Sequence, residues 1–339
     1  MKIAGFDIGG AHTDLAIIDF EENGDISNIE VDYCYLPMWE KNHELGKSLL
    51  ELIGDHIADI DAVGITMTAE LVDSYHTKRE GVLDILGIIK NTFTVPVAFV
   101  SLEGMMKPKR VVQVPWKVAA ANWIPTSQIA SIMSSDCILV DVGSTTTDII
   151  PIKGGKECVR GRTDLERLGT GELIYTGTLR TNIATLVDQV PLDEGWFRVS
   201  AETFAISADV HNVLGNISKN DYTCTTPDGE GKSRKDSMRR IARLLCTDLD
   251  TLSESDIISL CDYVYQEQVS RISEALSEIS HNEFLDEAVI TGLGMNILAS
   301  PAAKMVGMKV VGMDEFLTIE ECVVAPAVGT ALMMEEFLS

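Results

Sequence analysis

Two segments of the chain carry the same pattern of acids and glycines. Residues 7–18 read DIGGAHTDLAII and residues 141–152 read DVGSTTTDIIPI. With Asp7 laid on Asp141, 134 residues on, Gly9 falls on Gly143, Thr13 on Thr147, Asp14 on Asp148 and Ile18 on Ile152. A turn containing Gly9 and Gly10 lets the backbone come close to a ligand, because no Cβ blocks the approach. Its N–H groups, with the hydroxyl of Thr13, can cradle phosphate oxygens, and Gly143, Ser144, Thr145 and Thr146 offer the same in the second copy. The flanking carboxylates Asp7, Asp14, Asp141 and Asp148 cannot bind phosphate directly. They suit a divalent cation, with its waters, standing between them and the phosphates. One copy alone reads equally well as an acidic hairpin turn. The second copy tips the reading to function.

Each copy follows an apolar β-rich run and leads into another, and strand, glycine-containing turn, strand is a hairpin signal. Between the copies, residues 43–57 have helical spacing, 61–66 read as a short strand, 79–93 as a helix and 95–100 as a β-branched run. Strands separated by helices predict an α/β fold. Residues 216–236 are polar and read as a loop or insertion. A helix is expected at 236–249. Another follows Ser253, where the sequence SESD sets up a capping box. The repeat divides the chain into 1–130 and 131–324, with an insertion around 180–250 and a closing helix near 325–338 expected to pack back on the first part.

Composition sets limits on partners. The 339 residues hold 52 Asp+Glu against 27 Lys+Arg, a formal charge of −25. A chain this acidic is repelled by nucleic-acid backbones and anionic membranes, so neither is expected as a partner. An anionic small molecule must be met locally. No apolar run approaches membrane-spanning length and the N-terminus runs straight into a strand, so a cytoplasmic protein is expected. The seven cysteines are scattered without a C-x-x-C pair, which predicts reduced thiols rather than zinc.

Three further places could carry ligands. TMTAEL (66–71) ends a strand, and alternation would put Thr66, Thr68 and Glu70 on one face at the sheet's carboxyl edge. In RTDLERLGTGEL (162–173), Thr163 and Asp164 followed by Arg167 could form a ligand loop. Arg167 could instead pair with Asp164 across one helical turn. Arg160, Arg162 and Arg180 concentrate positive charge there, which favours the ligand reading. The basic cluster at 232–243 reads as a solvated helix face, with attraction of an anionic substrate as the alternative. GLGMN (292–296) after the strand AVIT is a weak glycine-loop signal, and a plain strand-to-helix turn is its rival.

Taken together, the two hairpins and GLGMN resemble the phosphate–phosphate–nucleotide pattern of the actin, sugar-kinase and Hsp70 ATPase superfamily. That resemblance implies duplicated ribonuclease-H-like (actin-like ATPase) domains of α/β class with a ligand cleft between them, and a phosphate role for Gly292 and Gly294. The Thr-Asp endings of both hairpins resemble the hydantoinase/oxoprolinase branch. The segments GITMTAELVDSYHTKREGV, LVDVGSTTTDIIPI and GRTDLERLGTGELIYTGTLRTN are similar to an archaeal and methylotroph family tied to tetrahydromethanopterin-linked one-carbon metabolism. Its characterised archaeal members make the methanofuran precursor by joining an aminomethylfuran-methyl diphosphate to γ-glutamyltyramine. The resemblance implies a pyrophosphate-releasing transferase with Mg²⁺ on Asp7 and Asp141, a diphosphate substrate and a phenolic co-substrate. A base is needed near the phenol, for which His12 competes with Asp14, Asp148 and Asp164. Two alternatives stand beside this: an ATP-dependent kinase or hydantoinase-type ATPase, with ATP possible but not favoured, and a non-catalytic nucleotide-sensing module.

Overall fold

Both repeats fold as antiparallel hairpins with matching register. In the first, β1 (Lys2–Ile8) pairs with β2 (His12–Phe20), setting Asp7 opposite Asp14. The structure, a computed structural model, describes residues 1–192 and 195–339. The remaining strands of the first sheet are β3 (Ile26–Tyr35), β4 (Ala62–Met67), β5 (Val97–Ser101) and β6 (Gly104–Met106), in the order β3-β2-β1-β4-β5-β6. In the second sheet β7 (Cys137–Val142) pairs with β8 (Thr147–Lys153), setting Asp141 opposite Asp148. β9 (Lys156–Glu157) and β10 (Leu173–Ile174) flank β8, and β11 (Gln189–Leu192) pairs with β12 (Gly195–Arg198) outside the sheet. β13 (Glu287–Thr291) and β14 (Lys309–Gly312) complete the order β10-β8-β7-β13-β14.

The two sheets repeat one plan. β1 runs parallel to β4 and β4 to β5; β7 runs parallel to β13 and β13 to β14. Parallel strands buried on both faces need helices on each side, and their near-continuous apolar sequences fit that demand. Helices Leu45–Ile53 and Lys78–Thr92 cover one face of the first sheet through Leu45, Leu49, Val82 and Ile85. The 30-residue helix Glu254–Glu283 covers the second sheet with Ile272, Leu276 and Ile279, and the expected capping box of Ser253 and Asp256 is present.

Helix Ala325–Leu338 lies on β1 and β4 of the first sheet and against helix Trp123–Met133. Contact with the strands is backbone to backbone. A Cβ on Gly5 would stand 2.2 Å from the Ala327 carbonyl oxygen, and one on Gly64 would stand 2.8 Å from that of Thr330. Both positions need glycine.

Some expectations shift. The helix expected over 43–57 is α-helical only at Leu45–Ile53, with 3₁₀ turns on either side; Gly54, at φ +56°, ends it. β4 stops at Met67, and Ala69–Leu71 is a 3₁₀ turn, so Thr66, Thr68 and Glu70 do not share a strand face. The helix expected at 236–249 is Arg234–Arg243.

All seven cysteines are free, with Cys137 and Cys261 in the core. Among the described residues, no helix is long and apolar enough to cross a membrane.

Candidate active site

Residues of both sheets line one cleft of about 980 Å³. The two hairpin turns form facing walls and close in the same way: the Gly9 N–H donates to the His12 carbonyl at 2.9 Å, and the Gly143 N–H to the Thr146 carbonyl at 3.0 Å. Gly9, Gly10 and His12 line the cleft from one side, and Gly143, Ser144, Thr145 and Thr146 from the other. Asp7, Asp14, Asp141 and Asp148 line it between them.

Cross-strand pairing gathers these four carboxylates, and burial makes their company costly. Burial, and then Asp141, pushes Asp14 up to about 7. Burial, then Asp148 and Asp7, pushes Asp141 up to about 8. Asp7 is raised well above the usual carboxylate range by burial, then by Asp14, Asp148 and Glu70. Like charges in a dry site disfavour ionisation, which is the cause in each case. Asp148 is also raised by burial, but Arg167 opposes the shift.

The donor set fits a hard cation. Oδ1 of Asp7 is buried without a hydrogen-bond partner, as is Oε2 of Glu70. Among the described residues no three His, Cys, Asp or Glu side chains are grouped to hold a metal by themselves. A hard divalent cation such as Mg²⁺ needs only one or two carboxylates and fills its remaining positions with water and substrate phosphate oxygens, so Asp7 and Asp141 could form the protein's share.

His12 reaches the cleft from β2, stacks edge-on against Tyr35 at 5.4 Å and shares a 2.9 Å hydrogen bond with Thr223. Burial, and then the charge of Arg180, lowers it to about 4. It is therefore neutral at physiological pH, with one ring nitrogen protonated and the other able to accept a hydrogen bond or a proton. Thr68, Glu70 and Asp164 also line the cleft. Lys78, at the start of helix Lys78–Thr92, donates to Asp164 at 2.8 Å and approaches Glu70 at 3.5 Å, so it ties the two walls together.

Five residues expected in the site lie outside the cleft lining. Thr13 is fully buried on the opposite face of β2 from His12 and Asp14, as strand alternation demands. Thr66 is buried in β4. The Thr163 hydroxyl accepts from the Glu166 N–H and caps helix Asp164–Thr170. Gly292 and Gly294 spend their N–H groups on the Cys322 and Val142 carbonyls. A Cβ on Gly292 would meet Asp141 Oδ1 at 2.5 Å and one on Gly294 would meet Val142 Cγ1 at 2.4 Å, so both glycines serve close packing under the hairpin.

Two charge assignments also change. Arg167 is buried, donates to Asp148 and to the Glu172 carbonyl, and stacks over Trp123 at 5.0 Å. It neutralises an aspartate of the hairpin and does not pair with Asp164. In the basic cluster, Arg240 is fully buried, bonding Asp209 at 2.7 Å and Asp228 at 3.1 Å. Lys232 donates to the Tyr222 carbonyl at 2.6 Å. The cluster pins the 216–233 loop, and with it Thr223, in place.

Sequence reasoning gave no role to Trp39 or Thr223, and left Arg180 as a nearby cation. All three line the cleft. Arg180 sits in the long segment 161–182 that carries the family resemblance, which was a usable signal. Trp39 and Thr223 lie in stretches with no motif.

The hydantoinase/oxoprolinase family model matches residues 61–337. A protein of Methanocaldococcus jannaschii named (4-{4-[2-(gamma-L-glutamylamino)ethyl]phenoxymethyl}furan-2-yl)methanamine synthase is 38% identical over 300 residues, 88% of this chain and 88% of that protein. A protein of Methanococcus vannielii with the same name is 40% identical over 173 residues, 51% of this chain and 78% of that one. Among solved structures, a nucleotide-free acetone carboxylase matches with TM-score 0.54 at 10% identity, covering 98% of this chain and 70% of that one. A ROK family glucokinase from Streptomyces griseus matches with TM-score 0.50 at 14% identity, covering 98% of each chain. These two establish the fold alone: the duplicated two-lobed architecture of the actin-like ATPases.

Proposed function

This chain belongs to the hydantoinase/oxoprolinase family, in the branch that holds the furan-2-yl methanamine synthases, and from that premise we propose that it makes the same phenoxymethyl-furan ether. In this reading an aminomethylfuran-methyl diphosphate condenses with γ-glutamyltyramine. The bond between the furan-methyl carbon and the diphosphate oxygen breaks, its electron pair leaves with pyrophosphate, and the phenol oxygen bonds the carbon. The electron-rich ring shares the positive charge that develops. The phenol proton passes to a base.

The chain's residues suit these tasks. The two glycine turns offer backbone to opposite ends of a diphosphate. Asp7 and Asp141 would hold a divalent cation, which when bound supplies neutralisation of the leaving group's charge. The base for the phenol proton would come from the cleft lining, where neutral His12, hydrogen-bonded to Thr223, stands beside Asp14 and Asp164. Lys78 holds the walls together and so helps exclude water.

The observation that carries this reading over an ATP-dependent one is the packing beside residues 292–296. Leu293 and Ile297 lie against a buried cluster of Leu179, Ile206, Tyr222 and Cys224. An adenosine held beside residues 292–296 would have to displace these side chains. The test is direct: purified protein with the furan-methyl diphosphate, γ-glutamyltyramine and Mg²⁺ should release pyrophosphate and form the ether in equal amounts. ATP turnover without ether would overturn the reading.

A further inference from the structure

Arg180 stands out as a cation without an anion. It lines a cleft rich in carboxylates, yet among the described residues no carboxylate oxygen lies within 4.0 Å of its guanidinium, whereas Arg167 and Lys78 are both paired. Its backbone is bolted to the second hairpin turn: the N–H groups of Leu179 and Arg180 both donate to the Ser144 carbonyl at 2.9 Å, and that of Thr178 to Gly143. Gly177 permits this, since a Cβ there would stand 2.6 Å from the Thr145 backbone. The guanidinium reaches Thr145 Oγ1 at 3.4 Å and crosses the cleft to stack over Trp39 at 5.1 Å.

Trp39 is bolted to the first turn in turn. The Leu36 N–H donates to the Ala11 carbonyl and the Met38 N–H to that of Gly10, each at 2.9 Å. So an arginine fixed to one phosphate-type turn rests on a tryptophan fixed to the other. Stacking occupies the face of the guanidinium and leaves in-plane donors beyond the one on Thr145 free, and such donors match phosphate oxygens in pairs.

Resting on the function proposed above, we propose that Arg180 is the diphosphate-binding residue of the cleft, and that Trp39 holds its guanidinium between the two turns. Arg180 shares the cleft with four carboxylates and is paired with none of them among the described residues. The stack on Trp39 keeps it available for the ligand.

Calorimetric titration of the full chain with inorganic pyrophosphate, in Mg²⁺, tests this. R180M should weaken pyrophosphate at least about tenfold, R180K should recover part of that because it keeps charge but not the fork, and W39L should weaken it about threefold. Thermal midpoints without ligand should stay near wild type. Binding of γ-glutamyltyramine should be unchanged in R180M. Equal pyrophosphate affinity in wild type and R180M, no pyrophosphate binding by wild type, or a loss confined to γ-glutamyltyramine would each overturn the assignment. Arg180-dependent pyrophosphate binding without ether formation would instead remove the proposed reaction and leave the assignment standing.

Discussion

Arg167 donates a hydrogen bond to Asp148, and among the described residues no cation pairs with Asp14, which occupies the same place in the other hairpin. The repeat is thus symmetric in backbone and asymmetric in charge. One hairpin has its second aspartate neutralised from within. The other leaves Asp14 to whatever enters the cleft.

The first prediction concerns that pair. R167M leaves Asp148 buried without its partner, and breaking a buried pair by removing one member costs about 3 kcal/mol or more. The urea midpoint should fall with the slope unchanged. Adding D148N should restore most of the loss. A single variant that unfolds at the wild-type midpoint would show that Arg167 does not hold that charge.

Relief of repulsion is the second. Asp141→Asn removes one of the four crowded carboxylates, so in a chelator the variant should melt about 2 °C above wild type, a gain of about 1 kcal/mol. Pyrophosphate release should drop about 100-fold or more. Stability and activity move in opposite directions. A variant that melts lower without metal would mean that the carboxylates do not share one field.

How much of this was legible in the sequence follows from how local each cause is. The hairpins could be read because Asp-x-Gly and Thr-Asp recur at fixed spacing, and strand pairing then places Asp7 against Asp14 without further information. Thr13 was misplaced although alternation along β2 already turns it away from Asp14. Thr163 was a helix cap whose signal, Glu three residues later, was in plain sight. Gly292, Arg167 and Arg240 are different. Their roles depend on Asp141, Asp148 and Asp209, partners supplied by folding that no local pattern announces.

Arg240 and Asp209 give the third prediction. Both are 0% exposed. Asp209→Asn should cost about 3–5 kcal/mol, because Arg240 is left buried with half its partners. Since Arg240 also binds Asp228 and the Gly231 carbonyl, the 216–233 loop should become cleavable by limited proteolysis. Unchanged protease resistance would count against the pinning role.

A pH dependence supplies the fourth. His211 is fully buried and bonded to Gln268 at 3.2 Å, and burial lowers it from 6.5 to about 4. The unfolded chain takes up this proton near pH 6.5, the folded chain only near 4. Between those values the unfolded state binds more protons, so stability falls as pH falls through the window and levels off below it. The expected contribution is about 3 kcal/mol. It should appear in the difference between wild-type and H211Q unfolding free energies measured from pH 7.5 to 4. A difference that stays flat with pH would overturn it.

The close approach of Gly5 to Ala327 has a consequence for synthesis. β1–β6 leave the ribosome while residues 107–324 are still to be made, and only then does the helix that covers β1 and β4 emerge. Until that moment an apolar face of the nascent sheet stays open to water and to other chains. That helix finishes the first lobe, so a premature stop near residue 320 should yield an insoluble product rather than a shortened enzyme.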